Sequence, residues 1–326
     1  MSKIFTVFGV TGQQGGALIR YLLDHPVFSK EYRFRGVTRN ASKPAGVALR
    51  ERGVEIVEAD MNDSDTLVSA MRDAHTVFAM TTWLETFQPA EEVVQGKALA
   101  DAAVAAKVKL YIWSSLPRTG VAHFNSKADV EDYIRTLPLM AAFFMPGWFM
   151  QNFFGVMAPK RRVQKTKQEQ QEHPSGRDEM EEEEKEEEEY VVSQPWPGAG
   201  LDSLVPLIDI EDTGKYVAPF LVDPNKYAGS RFWACTRFYS VEEICRVWTD
   251  VTGKKVVFDE RVDWISGGGT ATVMKDALEK SLGKTGKANG YFGVEGEEGV
   301  KWTLEQVGEK LTTWEEFVKR SEPWFV

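Results

Sequence analysis

From Lys3 to Trp148 the chain alternates short apolar runs of strand type with segments whose apolar residues recur at helical spacing, and no hairpin signal interrupts the alternation. KIFTVFGV, YRFRGVTR, VEIVEAD, HTVFAMTTW, KLYIWSSL and LMAAFFMPGW read as strands. GGALIRYLLDH, PAGVALRERG, SDTLVSAMRDA, EEVVQGKALADAAVAAK and SKADVEDYIRTL read as the helices between them. A strand followed by a helix must cross over to reach the next strand, so the sheet is expected to be parallel, with helices on both faces. The expected fold class is α/β, a doubly wound parallel sheet over residues 1–157.

The first strand runs into Gly9-Val10-Thr11-Gly12-Gln13-Gln14-Gly15-Gly16, which opens the first helix. The spacing is GxxGxxG, one residue wider at the first gap than the usual dinucleotide fingerprint, but it asks the same of the backbone. Gly9 makes the turn, Gly12 lets N–H groups approach a pyrophosphate, and Gly15 permits close helix–strand contact, with the phosphates at the helix N-terminus. A glycine triplet alone is weak evidence, and a merely tight turn would use it too. Between a strand and a helix it points to a dinucleotide in a Rossmann domain.

The choice of dinucleotide is read at the end of the second strand, where an acid would take the ribose 2′-hydroxyl of NAD. Thr38, Arg39 and Asn40 stand there, with Arg35 before and Lys43 after. With no acid in the segment and a guanidinium suited to a 2′-phosphate, NADP(H) is favoured, although a strand-end arginine can also be simply solvated. Asp60 and Met61, ending the third strand, lie where an adenine would rest, and Asp60 equally suits the cap of the third helix. Thr81, Thr82 and Trp83 end the fourth strand, beside the expected switch point of the sheet.

Past residue 157 the texture changes. Residues 169–189 hold twelve of the 49 acids and two of the 39 bases, so the whole net charge of −10 sits there and the remainder has 37 of each sign. That balance offers no nucleic-acid surface. The basic run Lys160, Arg161, Arg162, Lys165, Lys167 precedes the tract, and residues 158–189 are expected to be a charged low-complexity insertion, a solvated loop or an extended helix. From Tyr190 to Val326 a smaller α+β substrate- or partner-binding lobe is expected, with some segments returning to the main sheet. It has loops at Gly267–Gly269 and Gly283–Gly290 and an amphipathic C-terminal helix carrying Trp302, Leu304, Trp314 and Phe317.

The uncharged run from Leu137 to Pro159 is interrupted by Pro138, Pro146, Gly147, Gln151 and Asn152, so it reads as strand, turn and helix start rather than a membrane span. The N-terminus lacks a signal-peptide pattern. Cys235 and Cys245 have neither CxxC spacing nor a nearby histidine, and the four histidines form no metal-ligand pattern. A reducing, cytoplasmic location is expected, extending also to the nucleus, and no metal.

GVTGQQGG, the Thr38-Arg39 pair, EADMND, VVQGKALADAA, YIWSSL, HFNSKADVEDYIR, MPGWFMQNFF and PLIDIEDTGKY together resemble the NmrA-like group of atypical short-chain dehydrogenases, over residues 4–160 and again from Tyr190. The acidic tract departs from that pattern. Conventional short-chain dehydrogenases use a tyrosine with a lysine four residues on, and no tyrosine here has that partner. The corresponding segment holds His123 and Lys127. The resemblance implies that Lys127 holds the nicotinamide ribose, that a hydroxyl of Ser114 or Ser115 lies near the nicotinamide, and that Phe149, Met150, Gln151 and Asn152 line the same end. His123 can serve as a proton relay near neutral pH or be a loop histidine with no such duty. Lys127 is placed at the start of a helix capped by Asn125 or Ser126, where an anionic or hydroxyl-rich ligand would offset the opposed macrodipole. Two functions follow: a redox-sensing regulator that binds NADP(H) and a protein partner with weak or absent turnover, or an NADPH-dependent reductase of a small carbonyl or enone.

Overall fold

A computed structural model describes residues 2–82, 88–155, 157–167, 184–195, 199–261 and 291–325. Its main sheet contains β1 (Lys3–Phe8), β2 (Tyr32–Thr38), β3 (Glu55–Glu58), β4 (Ala74–Ala79), β5 (Leu110–Ser114), β6 (Ala141–Pro146) and β11 (Arg231–Ala234), in the order β11-β6-β5-β4-β1-β2-β3, every pair parallel. β1, β5 and β6 are apolar and buried almost throughout, as strands covered on both faces must be. The covering helices are α1 (Gln13–Asp24), α3 (Pro44–Glu51), α4 (Ser64–Ala70), α5 (Pro89–Ala105), α6 (Ala122–Ile134) and α7 (Thr213–Val222), with a single-turn α2 (Phe28–Glu31) between α1 and β2. This is a Rossmann-type sheet, and its order reverses between β1 and β4. α7 and β11 come from the C-terminal half of the chain and complete it.

β6 ends at Pro146 because the chain turns there. A Cβ on Gly147 would meet the Pro206 carbonyl oxygen at 2.2 Å, so only glycine permits the approach. Beyond it β7 (Trp148–Phe149) leaves the main sheet and pairs with β10 (Leu204–Ile208), itself antiparallel to β12 (Arg237–Ser240). The uncharged run of residues 137–159 is thus a buried strand, a corner and a 3-10 turn, Met150–Phe154. Among the described residues no helix is long and apolar enough to cross a membrane.

Two expectations fail in the second half. The tract expected to be loop or helix contributes β8 (Lys160–Lys167) and β9 (Glu184–Val192), an antiparallel pair that β13 (Val256–Phe258) extends. The basic run faces the acidic one: Arg162 lies opposite Glu189, Lys165 opposite Glu186 and Lys167 opposite Glu184. Each run repels itself alone, but opposite charges set across the pair attract, as Arg162 and Glu189 do. Arg162 bonds Glu189 at 2.7 Å and Asp259 at 2.5 Å. Residues 168–183 of the tract lie outside the described residues, as do the glycine-rich stretches 267–269 and 283–290 that were expected to be loops.

The single C-terminal helix is in fact two, α9 (Gly296–Gln306) and α10 (Trp314–Arg320). Thr313 and Glu316 form a reciprocal capping box that starts α10 afresh. Trp314 is fully buried, against Phe153, Trp248 and Trp324, whereas Trp302 on α9 is partly exposed. After Ser240 caps it, α8 (Val241–Thr252) completes this second core.

Candidate functional site

The β1–α1 turn is tightly determined. Gly9 has φ +66°, a Cβ on it would press against Met80 at the end of β4, and Gly12 N–H donates to the Gly9 carbonyl at 2.9 Å. Gly12 is the N-cap of α1, yet no side chain caps the helix and no acid lies in its first turn. Among the described residues no side chain caps the backbone donors and positive dipole end with which this twelve-residue helix begins. Val10 is buried, holding the turn on Gly36 of β2, where an added Cβ would lie 2.7 Å from a Val10 methyl. Gln14 is buried and Gln13 exposed. The donor set fits a pyrophosphate.

Thr11 and Thr38 hydroxyls lie 3.3 Å apart, bringing the end of β2 to this turn, with Arg39 exposed beside it. Arg35 does not join them. It lies mid-strand, and its guanidinium bonds Glu55 at 2.9 Å and the Ala70 and Arg72 carbonyls at 3.0 and 2.7 Å, tying β2 and β3 to the end of α4. An acid does reach the loop after β2, from a place the sequence did not indicate: Glu58 of β3 accepts the Ala41 N–H at 2.7 Å. Asp60 is not the cap of α4. That duty falls to Asp63, while Asp60 closes a local turn through Asn62, and Met61 is half-buried nearby.

Thr81 is buried at the end of β4, Thr82 is half-buried, and Trp83 lies outside the described residues. Lys127 does not open its helix. α6 starts at Ala122 with Val121 as its N-cap, so Lys127 sits in the second turn. Its charge is met by Glu92 of α5, only 1% exposed, whose Oε1 lies 2.9 Å from Nζ. Thr81 Oγ1 donates to the same carboxylate at 2.8 Å, and Ser126 Oγ donates to its other oxygen. Burial pushes the Glu92 carboxyl up, but Lys127, Ser126 and Thr81 together hold it below its ordinary value. Glu92 was not singled out in the sequence. Its place before VVQGKALADAA, one turn ahead of Gly96, is the signal: a Cβ on Gly96 would come within 2.5 Å of Val130, so α5 and α6 touch there.

His123 lies in the first turn of α6, edge-on to Phe124. Burial pushes its imidazole down to about 4, Glu92 pulling upward and Lys127 downward, so it is neutral near pH 7 rather than a group that titrates there. Ser115 is fully buried, and its hydroxyl donates to Glu131 of α6 at 2.7 Å. Glu131 also binds Arg135 at 2.8 Å and Arg231 of β11 at 2.7 Å, a second buried carboxylate that sequence reading passed over. Met150 is buried, Phe149 and Asn152 are half-buried, and Gln151 donates to Asp209 at 2.6 Å and accepts the Ile210 N–H at 3.1 Å. Among the described residues no group of three or more His, Cys, Asp or Glu could hold a metal. Cys235 and Cys245 are buried thiols, with Cys245 pushed up to about 12 by burial.

The sequence profile of the NmrA-like family matches residues 1–318. The chain belongs to that family. FrzB of Cladobotryum sp., an NmrA-like family domain-containing oxidoreductase, is 26% identical over 275 residues, 79% of this chain and 76% of its own. An NmrA-like family domain-containing protein of Dictyostelium discoideum is 24% identical over 339 residues, 98% of each chain. Among solved structures, NmrA, a negative transcriptional regulator, in complex with NADP superposes with a TM-score of 0.76 at 21% identity, covering 99% of this chain and 96% of its own. A triphenylmethane reductase of Citrobacter sp. complexed with NADP(H) gives 0.69 at 17%, covering 98% and 100%. At these identities the superpositions establish the shared fold of this NmrA-like protein.

Proposed function

We propose that this NmrA-like protein binds a nicotinamide dinucleotide at the β1–α1 turn, NADP(H) in preference to NAD(H), and acts as a redox-sensing regulator with weak or no turnover. The observation that carries the binding is the uncapped N-terminus of α1, with its glycine turn at the point where the sheet order reverses. Arg39, next to Thr38, would supply a cation for a 2′-phosphate, and Glu58, which reaches the loop after β2, is engaged by the Ala41 amide. NmrA, of like fold, is a negative transcriptional regulator and has been crystallised with NADP and with NAD.

The reading of weak turnover rests on how the would-be proton-transfer groups are used. Ser115 is spent on Glu131, His123 is neutral, and no tyrosine precedes a lysine by four. A bound nicotinamide would carry the redox state, and the protein would report it through differential affinity for oxidised and reduced forms, since a ligand shifts an equilibrium only by that difference. A tenfold preference, about 1.4 kcal/mol, is enough for a ratio readout. A regulatory protein is the partner this reading requires, and a cytoplasmic or nuclear place suits it.

The alternative, an NADPH-dependent reductase of a small organic carbonyl or enone, is favoured by the relatives named oxidoreductases, FrzB among them. Calorimetric titration with NADP, NADPH, NAD and NADH tests the binding, and failure of all four to bind refutes it. Substrate-dependent NADPH oxidation that collapses in His123→Ala would replace the sensor with the reductase.

A further inference from the structure

We propose that Glu58 is a specificity-determining residue, a negative charge set against the loop after β2 that limits how far NADP is preferred over NAD. The inference rests on the cofactor reading above and names the group that tunes it. From Thr38 to Lys43 the sequence holds no acid, so nothing within that segment discourages a phosphate. The fold brings one in. Glu58 ends β3, paired in register with Thr38 at the end of β2, and its Oε1 accepts the Ala41 N–H at 2.7 Å.

The loop that meets this carboxylate is held on several sides. Ala59 N–H donates to the Thr38 carbonyl at 3.2 Å, so β2 and β3 stay together to their ends. Asn40 Oδ1 accepts the Ser42 N–H at 2.9 Å, turning the chain after Arg39. Ala41 is buried, and a Cβ on Gly46 would stand 3.0 Å from its carbonyl oxygen, so the start of α3 closes on it. Ala41 follows Arg39 by two residues, and Cα spacing keeps the two positions within about 8 Å. Turn amides are ready donors to anions, and this one is given to an anion of the protein's own. The hydrogen bond leaves the carboxylate its charge. Glu58 is exposed, and repulsion over about 10 Å in surroundings between protein and water amounts to about a fivefold loss of affinity for an added phosphate. NAD, with a hydroxyl in that place, escapes it.

The test titrates full-length wild type, Glu58→Gln and Glu58→Ala with NADP and with NAD, and records the melting temperature of each. Glutamine keeps an oxygen for the Ala41 amide and drops the charge. Glu58→Gln is expected to bind NADP about fivefold more tightly, to bind NAD within about twofold of the wild type, and to melt within about 2 °C of it. Raising salt from about 0.02 M to about 0.5 M should shrink the NADP difference between variant and wild type to below about twofold, because screening does what the substitution did. Glu58→Ala, which also frees the amide, should gain at least as much. A NADP gain confined to Glu58→Ala would make Glu58 a holder of the loop rather than a charge, and would overturn the proposal. An unchanged NADP-to-NAD ratio in Glu58→Gln would overturn it too, while leaving the cofactor reading in place. A wild type that binds neither dinucleotide would end that reading, and the proposal with it.

Discussion

A Cβ on Gly15 would lie 2.5 Å from the carbonyl oxygen of Gly9. The start of α1 therefore rests directly on the turn that precedes it, and the same contact fixes where the free amides of α1 point. At Gly12 the situation differs: an added Cβ meets only the Gly9 oxygen, at 3.2 Å, and the backbone is extended, with φ −88°.

These two glycines should thus separate folding from binding. Gly15→Ala is expected to destabilise the protein by about 1–3 kcal/mol, because backbone must move to admit the methyl. Gly12→Val is expected to stay folded and lose dinucleotide affinity, the side chain standing where the pyrophosphate would meet the amides. Urea unfolding and calorimetry read the two outcomes. Unchanged affinity in Gly12→Val would remove this turn from the binding site.

Arg39→Ala should weaken NADP by about 1.5–3 kcal/mol, the range for a charge-assisted hydrogen-bonded pair, and NAD much less. Equal losses for the two dinucleotides, measured side by side by titration, would take the 2′-phosphate away from Arg39.

His123 makes stability depend on pH. Its folded value, about 4, lies below the ordinary 6.5, so the native state binds fewer protons than the unfolded chain between those limits. The stabilisation is complete above about pH 6.5 and is lost as pH falls toward 4. Allowing for its partial exposure, the effect is about 2 kcal/mol. The difference in urea midpoint between wild type and His123→Gln should narrow or reverse over that window. A difference that is flat from pH 7 to 4 would contradict the depressed value.

Gly214 packs on Tyr21 so closely that a Cβ would fall 2.1 Å from the ring's Cγ. Gly214→Ala is expected to cost about 1–3 kcal/mol by pushing α7 off α1. An unchanged melting temperature would show that the helices can separate without penalty.

The main sheet was legible in the sequence because its strands are buried on both faces and its helices carry one apolar stripe, so period alone distinguished them. The glycine turn was legible because its chemistry is local. What escaped were pairings between distant segments. Arg35 looks like a site residue until Glu55 and the end of α4 are seen to consume it. Lys127 reads as a cation kept for a ligand, and its counter-ion, Glu92, lies in another helix. The charged tract reads as self-repelling until the basic run of β8 is laid against the acidic run of β9. The break before α10 was within reach, since Thr313 and Glu316 have capping-box spacing, but the surrounding aromatic period masked it.

β6 has its outer neighbour, β11, far along the chain, with β7, the charged pair β8 and β9, β10 and α7 between them. On the ribosome, then, the edge of β6 emerges long before the strand that covers it. Ala141 to Pro146 are all buried in the finished sheet, so during that interval an apolar edge with open backbone groups is available to any other chain. A product truncated between Pro146 and Arg231 should accordingly collect in the insoluble fraction rather than persist as a separate nucleotide-binding half.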